Sequence, residues 1–307
     1  MDLTPARKTA TLGNLSLRRK DKIYGFLLTL PALLIVFGLI FYPLGLGIIN
    51  SFRKINLFNM AESTWVGFDN YRILFRYNLF WQSVQNTLVY TIGSTLGAAL
   101  VGLLLALLLN KQTRTNRLHR GFFLIPWILP GVVVAYMFSF MFGESNGIVG
   151  YVLTVIGLLE KSINFFADMD TAMPAVIIAT IWLSFPFAMI MYLAGLKTIP
   201  KEIEEAAWVD GANLFQRFWH ITLPYLKNII VITTTLMVIW NFNFMDLIYT
   251  TTRGGPVNST EILAIFAYRT AIQQLNFGLT SALGVLWLLA LTGFAYLYLR
   301  NMKVLGD

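Results

Sequence analysis

Two stretches of the chain gather residue types that could do chemistry. The first, residues 205–224, reads EAAWVDGANLFQRFWHITLP and follows closely on Glu202 and Glu204. An acidic cluster at one edge of a membrane is what a membrane-embedded sugar transferase would need for acid and base work. The same residues also suit a docking element, because Glu202, Glu204 and Glu205 would sit near the start of a short helix, where the helix dipole favours negative charge. The second stretch, Trp240 to Asp246, reads WNFNFMD. Carbohydrate recognition needs an aromatic face for the apolar side of a sugar ring and amide or carboxylate groups for its hydroxyls. Trp240, Asn243 and Asp246 could supply both. On a continuous helix Asn243 lies between Asp246 and Trp240, whereas Asn241 points nearly opposite to Asp246. The alternative is that Asn241 and Asn243 bond neighbouring helices while Asp246 sits at the headgroup boundary. Trp182 and Tyr136 are further candidates for a substrate path, with packing or interface anchoring as the competing role.

Other chemistry is missing. No G-x-x-x-x-G-K-[ST] loop occurs, so the chain itself is expected to bind no ATP. His119 and His220 lack neighbours at metal-ligand spacing, and no metal site is expected. No nucleophile, base and acid set stands out, and no catalytic residue is assigned. The chain has no cysteine, which excludes disulfides and thiol chemistry.

These residues must be positioned inside a bilayer. Of the 307 residues, 57% are hydrophobic and only 12% are charged, about half the charged share of a soluble domain. Six long intervals contain no charge at all: between Lys22 and Arg53, Arg76 and Lys111, Arg120 and Glu144, Asp170 and Lys197, Lys227 and Asp246, and Arg269 and Arg300. Each is near or above the roughly 20 residues a helix needs to cross a membrane. The expected architecture is therefore all-α and integral to the membrane, with six transmembrane helices near 23–42, 86–110, 120–142, 172–194, 226–248 and 277–299. Residues 147–159 are apolar but too short to span, so an interfacial helix is expected there. The first run is too long for a signal peptide and no small-residue cleavage site follows it, so it is expected to be retained.

Most of the 23 basic residues fall in the tail 1–22, the segments 111–120 and 197–227, and the end of the chain. Positive charge concentrates in cytoplasmic segments, which predicts that both termini and the segment 197–226 are cytoplasmic. The net charge of +8 is thus a topology and anionic-lipid signal, with no nucleic-acid role. The chain divides into a basic tail, 1–22, and one transmembrane domain, 23–307. Within it Gly93, Gly97, Ala98 and Gly102 either permit close helix contact or reflect the ordinary tolerance of membrane helices for glycine. Pro126, Pro130 and Pro186 predict kinks.

In the segment 197–226, Pro200 suits a helix start, Gly211 a turn, and Phe215, Phe218 and Trp219 one face of a second helix that Pro224 ends. An amphipathic loop resting on headgroups would account for much of this. The spacing adds more. Glu205, Ala206, Ala207, Gly211, Ile221, Leu223 and Pro224, with Asp210 and Ala212, resemble the EAA motif of the membrane subunits of binding-protein-dependent ATP-binding-cassette importers. Stretches such as VGFDNY and TTRGGPVNST look like the sugar-type branch, with the maltose and glycerol-3-phosphate permease subunits.

The resemblance implies a type I importer permease fold in a bacterial or archaeal cytoplasmic membrane. It implies that Glu202, Glu205, Ala206, Ala207, Asp210, Gly211 and Ala212 couple to ATPase subunits, which bind ATP and magnesium. It further implies a second permease subunit, in a heterodimer, two ATP-binding-cassette subunits, an extracytoplasmic substrate-binding protein that meets the loop around Gly254-Gly255-Pro256, surrounding membrane lipids and a carbohydrate, polyol or sugar phosphate as cargo. An ion-coupled carrier working alone would need buried ionisable groups and inverted repeats, and only Asp246 is a candidate.

Overall fold

The helices form where the apolar runs predict them, but their ends and breaks differ in ways that matter for the site. A computed structural model describes residues 12–55, 63–110, 114–145 and 147–300. Residues 1–11 of the predicted basic tail, Lys111 and the last seven residues lie outside that set.

Among the described residues, five helical stretches are long and apolar enough to cross a bilayer. A sixth candidate is a bent pair, Thr115–Ile128 with Gly131–Met141, whose halves meet at 96°. The helix α1, Leu12–Val36, continues through a π-helical turn at Phe37–Phe41 into α2, Tyr42–Asn50. The expected end at Tyr42-Pro43 is therefore corrected. Pro43 lacks an N–H and its ring would clash with the carbonyl four residues back; the wider turn before it, in which the Tyr42 N–H bonds Phe37 O, lets the helix pass. A two-stranded antiparallel ribbon, β1 (Arg53–Lys54) and β2 (Thr64–Trp65), and α3 (Asp69–Arg76) then close one end of the bundle. Asn70 fastens them, donating to Ser51 O at 2.8 Å and Arg53 O at 3.0 Å.

The centre of the fold is the pairing of α4, Asn78–Leu109, with α9, Ala172–Leu196. The small residues of α4 make it possible. A Cβ at Gly102 would stand 2.6 Å from Ala188 Cβ and 2.8 Å from the Met189 backbone nitrogen. Gly93 and Gly97 receive the side chains of Ile177 and Ile181. Between two readings of these glycines, the structure selects close helix contact. Hydroxyls share the seam: Tyr90 and Thr180 are both fully buried, with their oxygens 3.2 Å apart. α9 runs through Pro186 without interruption.

Between α4 and α9 lie α5 (Arg114–Phe123), α6 (Ile125–Ile128), α7 (Gly131–Met141) and α8 (Ile148–Val155). α8 is short, and its Ile148, Tyr151 and Val155 face outward, as expected of a segment that does not span. α10 (Lys201–Val209), α11 (Leu214–Arg217), α12 (Leu223–Asn243), α13 (Asp246–Thr251), α14 (Leu263–Tyr268) and α15 (Phe277–Arg300) complete the chain.

Gly102→Val should lower stability by about 1–3 kcal/mol, because the contact it would violate is backbone and cannot yield. Gly284→Ala, on α15 with nothing within 4 Å of the added carbon, should be neutral. Thermal unfolding of the purified variants in detergent distinguishes the two.

Candidate functional site

The segment after α9 is built from local rules. Pro200 adopts an extended ψ of 134° at the N-cap, and Glu202 and Glu204 occupy the first turn of α10. The helix closes at Asp210, Gly211 and Ala212. Gly211 N–H bonds Trp208 O at 3.1 Å and Ala212 N–H bonds Ala207 O at 2.9 Å, the paired bonds of a Schellman turn. That turn needs a left-handed residue, and Gly211 has φ +76°. Asn213 then starts α11 with a reciprocal cap: its side chain accepts from Gln216 N at 2.9 Å, and its own N–H donates to Gln216 Oε1 at 2.8 Å.

The expected stop at Pro224 is corrected. α11 passes through a second π-helical turn, Phe218–Thr222, in which the Leu223 N–H bonds Phe218 O, and runs on into α12 with Pro224 in its first turn. The widened turn excuses the proline, as at Pro43.

Glu202, Glu205, Ala206, Asp210 and Gly211 are exposed, and Ala207 and Ala212 are half-buried. Among the described residues none of Glu202, Glu204, Glu205 and Asp210 is ion-paired. Trp208, Val209, Leu214 and Phe215 are 68%, 87%, 78% and 72% exposed, far more than isolated surface apolar residues require. Arg217 lies over the Trp208 ring at 5.6 Å. Together Lys201, Glu204, Glu205, Trp208, Val209 and Arg217 line a cleft of 520 Å³. The arrangement is an open surface of acidic and aromatic side chains that nothing among the described residues covers.

The second candidate region is changed by a break that the sequence does not announce. α12 ends at Asn243, Phe244 is extended (φ −83°, ψ 108°), and α13 begins at Asp246. The continuous helical face expected to unite Trp240, Asn243 and Asp246 is interrupted there, with Asp246 Cβ 3.6 Å from where a Cβ on Gly131 would stand. Asn243 is exposed and donates to Ile239 O at 2.6 Å. Asp246 is exposed in the first turn of α13. Asn241 is buried and donates to Thr95 Oγ1 at 3.0 Å, tying α12 to α4. Trp182 packs edge-on against Phe138 at 5.7 Å, and Tyr136 is exposed on α7; neither meets the others.

A different set does converge. Trp127, Leu129, Gly131, Ser184, Phe187, Trp240, Asn241 and Phe244 line a cavity of 280 Å³ together with Leu183 and Met237. Trp240 lies 4.7 Å from Phe187, and Trp127 lies 5.8 Å from it on another side. The cavity sits where two interrupted helices meet. Leu129 and Pro130, with ψ of 137° and 138°, separate α6 from α7, and Phe244 separates α12 from α13. Gly131 admits Phe244, whose ring would lie 3.0 Å from an added Cβ. Irregular backbone at membrane depth is tolerated where it is buried in protein or lines a cavity, so the breaks and the cavity explain each other. Trp127 and Phe187 escaped sequence reading because only Pro126 and Pro130 signalled the first break and nothing signalled the second.

At the opposite end from α10, the loop between α13 and α14 is more than a tight turn. Arg269 donates to Arg253 O at 2.7 Å and to Asn258 Oδ1 at 3.2 Å, while Asn86 of α4 reaches Asn258 O and Glu261 O. Glu261 is fully buried, with Arg269 3.0 Å from one oxygen. The contact is not aligned as a hydrogen bond, and neither carboxylate oxygen accepts a hydrogen bond from the described residues. Burial pushes Glu261 up to about 7, with the Arg269 charge acting in the other direction.

With this geometry in view, comparison with known proteins defines the class. A crystal structure of a bacterial ABC transporter that imports the acidic polysaccharide alginate shares the fold, with a TM-score of 0.75 over 95% of this chain and 98% of that one at 22% identity. Residues 98–302 match the family described as binding-protein-dependent transport system inner membrane component, and the chain belongs to it. The sulfoquinovosyl glycerol transport system permease of Agrobacterium fabrum is 34% identical, covering 92% of this chain and 91% of that one. The trehalose/maltose transport system permease MalF of Thermococcus litoralis is 30% identical over 92% and 95%.

Because the folded pKa of Glu261 lies above its unfolded value, its contribution to stability is present below about pH 4.5 and is lost as pH rises through about 7. The thermal midpoint of the purified protein should therefore fall between pH 5 and 8, and Glu261→Gln should flatten that part of the profile.

Proposed function

We propose that the chain is one permease half of an ATP-driven importer for a carbohydrate or a related polyol or sugar phosphate. The observation that carries this reading is the coupling segment. Its helix is closed by a Schellman turn, its second helix is capped, its aromatic side chains are exposed, and among the described residues its carboxylates are in no ion pair. Such a surface is preorganised for docking, which lowers the ordering cost of association. In this reading the segment lies in the cytoplasm, and Glu202, Glu205 and Asp210 face the groove of an ATPase subunit. Ala206, Ala207 and Ala212 keep the approach close, and Gly211 holds the turn. ATP and magnesium bind to the two ATPase partners. A second, related permease completes the translocation path, and a substrate-binding protein docks at the opposite end, near the loop held by Arg269 and Glu261.

The cargo reading rests on the cavity at the two helix breaks. Four aromatic side chains with one amide and one hydroxyl suit the mixed apolar and hydroxylated surface of a sugar. The matches to permeases named for sulfoquinovosyl glycerol and for trehalose and maltose support the same class. Trp240 and Asn241 are its leading contacts, and Asn243, Asp246, Trp182 and Tyr136 would act along the wider path when the second permease is in place.

Gly211→Val forces a β-branched residue into the left-handed region and should weaken ATPase association about tenfold, read by co-purification and by uptake into vesicles. A variant lacking residues 205–211 should abolish both, and intact assembly of that deletion would sink the assignment. Trp240→Ala should reduce sugar uptake several-fold while the complex still assembles; unchanged uptake would remove the cavity from the path.

A further inference from the structure

The helix α5, Arg114–Phe123, reads RTNRLHRGFF and has two dissimilar sides. Its inner side is fixed to the bundle. Phe123 packs edge-on against Phe185 at 6.3 Å, and the Arg120 guanidinium donates to Leu109 O and Asn110 O, where a cation satisfies the last carbonyls of α4. Its outer side is open. Leu118 and Phe122 are 77% and 66% exposed, and Arg117 and His119 are exposed beside them.

No acidic residue occurs anywhere between Asp69 and Glu144, and among the described residues Arg117 is in no ion pair. At 100° per residue Leu118 and Phe122 share one face, one turn apart, with Arg117 and His119 on its flanks. The apolar strip also continues: Ile125 and Ile128 of α6 are exposed.

We propose that α5 is a binding site for anionic phospholipid, with Arg117 on the headgroup phosphate and Leu118 and Phe122 among the acyl chains. Charge complementarity selects an anion. The choice of a lipid over an acidic peptide or a nucleic acid follows from the strip. Those partners would pair Arg117 but leave Leu118, Phe122, Ile125 and Ile128 in water, whereas a membrane surface covers all of them and accepts the charge at the same depth.

The position gives such a lipid a consequence. α5 leads directly into α6 and the break at Leu129-Pro130, and Trp127 and Leu129 are walls of the central cavity. Headgroup occupancy therefore anchors the element that carries one side of the cavity, and lipid composition becomes an influence on its shape. The inference rests on the membrane reading of this chain and is independent of its cargo.

The test uses the purified full chain in detergent, titrated with phosphatidylglycerol or phosphatidylcholine and followed by native mass spectrometry. The chain should prefer phosphatidylglycerol. Arg117→Gln should reduce that preference about fivefold, the weight of one basic residue near an anionic surface, and Arg117→Lys should retain it. Leu118→Gln should weaken both lipids alike. Since Arg117 is exposed, the variants should unfold at the wild-type temperature.

Equal binding of the two lipids by the wild type, or an unchanged ratio in Arg117→Gln, overturns the proposal. So does a variant with an unchanged lipid ratio that loses a co-purifying protein subunit, which assigns the face to that protein. Vesicle uptake measured in parallel separates the readings, because normal ATP-driven transport without lipid preference refutes this inference alone.

Discussion

A hydrocarbon layer offers no water to an unpaired peptide group, and this constraint organises the protein. A helix satisfies its own backbone; a helix that stops within the layer must find protein or a wet cavity to receive its ends. Two of the spanning elements stop part-way, at Leu129-Pro130 and at Phe244. They stop against each other. The mutual shielding of the two breaks leaves a small space lined by rings and by the side chains of Asn241 and Ser184. The cavity is thus a product of how the fold pays for its own irregularity, and its lining is partly polar.

The breaks can be tolerated only because the rest is tightly held. Without a hydrophobic drive between helices, association within a bilayer relies on close packing and on polar contacts. α4 supplies both. Its glycines bring α9 to backbone contact, and its buried Thr87 and Thr95 bond the Leu263 N–H and the Asn241 amide. One helix therefore touches α9, α12 and α14 through different chemistry on successive turns. The part of α1 and α2 that follows Lys22 has the opposite character, being apolar with no buried residue as far as Asn50.

Much of this was legible in the residues. Charge-free intervals located the helices because a charge within a bilayer is costly wherever the chain places it, and Pro200, Gly211 and the residues around them located a helix, a turn and a second helix because caps and turns are local physics. The failures were equally physical. Pro43 and Pro224 were expected to end helices, yet a π-helical turn before each absorbs the missing donor, and no residue type spells out such a turn. The substrate face was drawn on a helix assumed continuous to residue 248. Phe244 is neither glycine nor proline, and its extended conformation follows from packing against Gly131 on another element, which is tertiary information. The same limit hid Glu261, whose burial depends on the path of a loop and on Arg269 eight residues away.

The helical turn at Phe218–Thr222 has a mechanical meaning. Because it joins α11 to α12, the helix runs unbroken from Leu214 to Asn243, about 45 Å at the usual rise per residue. A flexible loop there would dissipate a push at one end. A continuous helix does not: the orientations of Phe215 at one end and of Trp240 at the other are fixed relative to each other. The one extra residue in the wide turn also sets the rotational phase between the two ends, so that the exposed aromatic face and the cavity-lining face keep a fixed angle like two crank arms on one shaft.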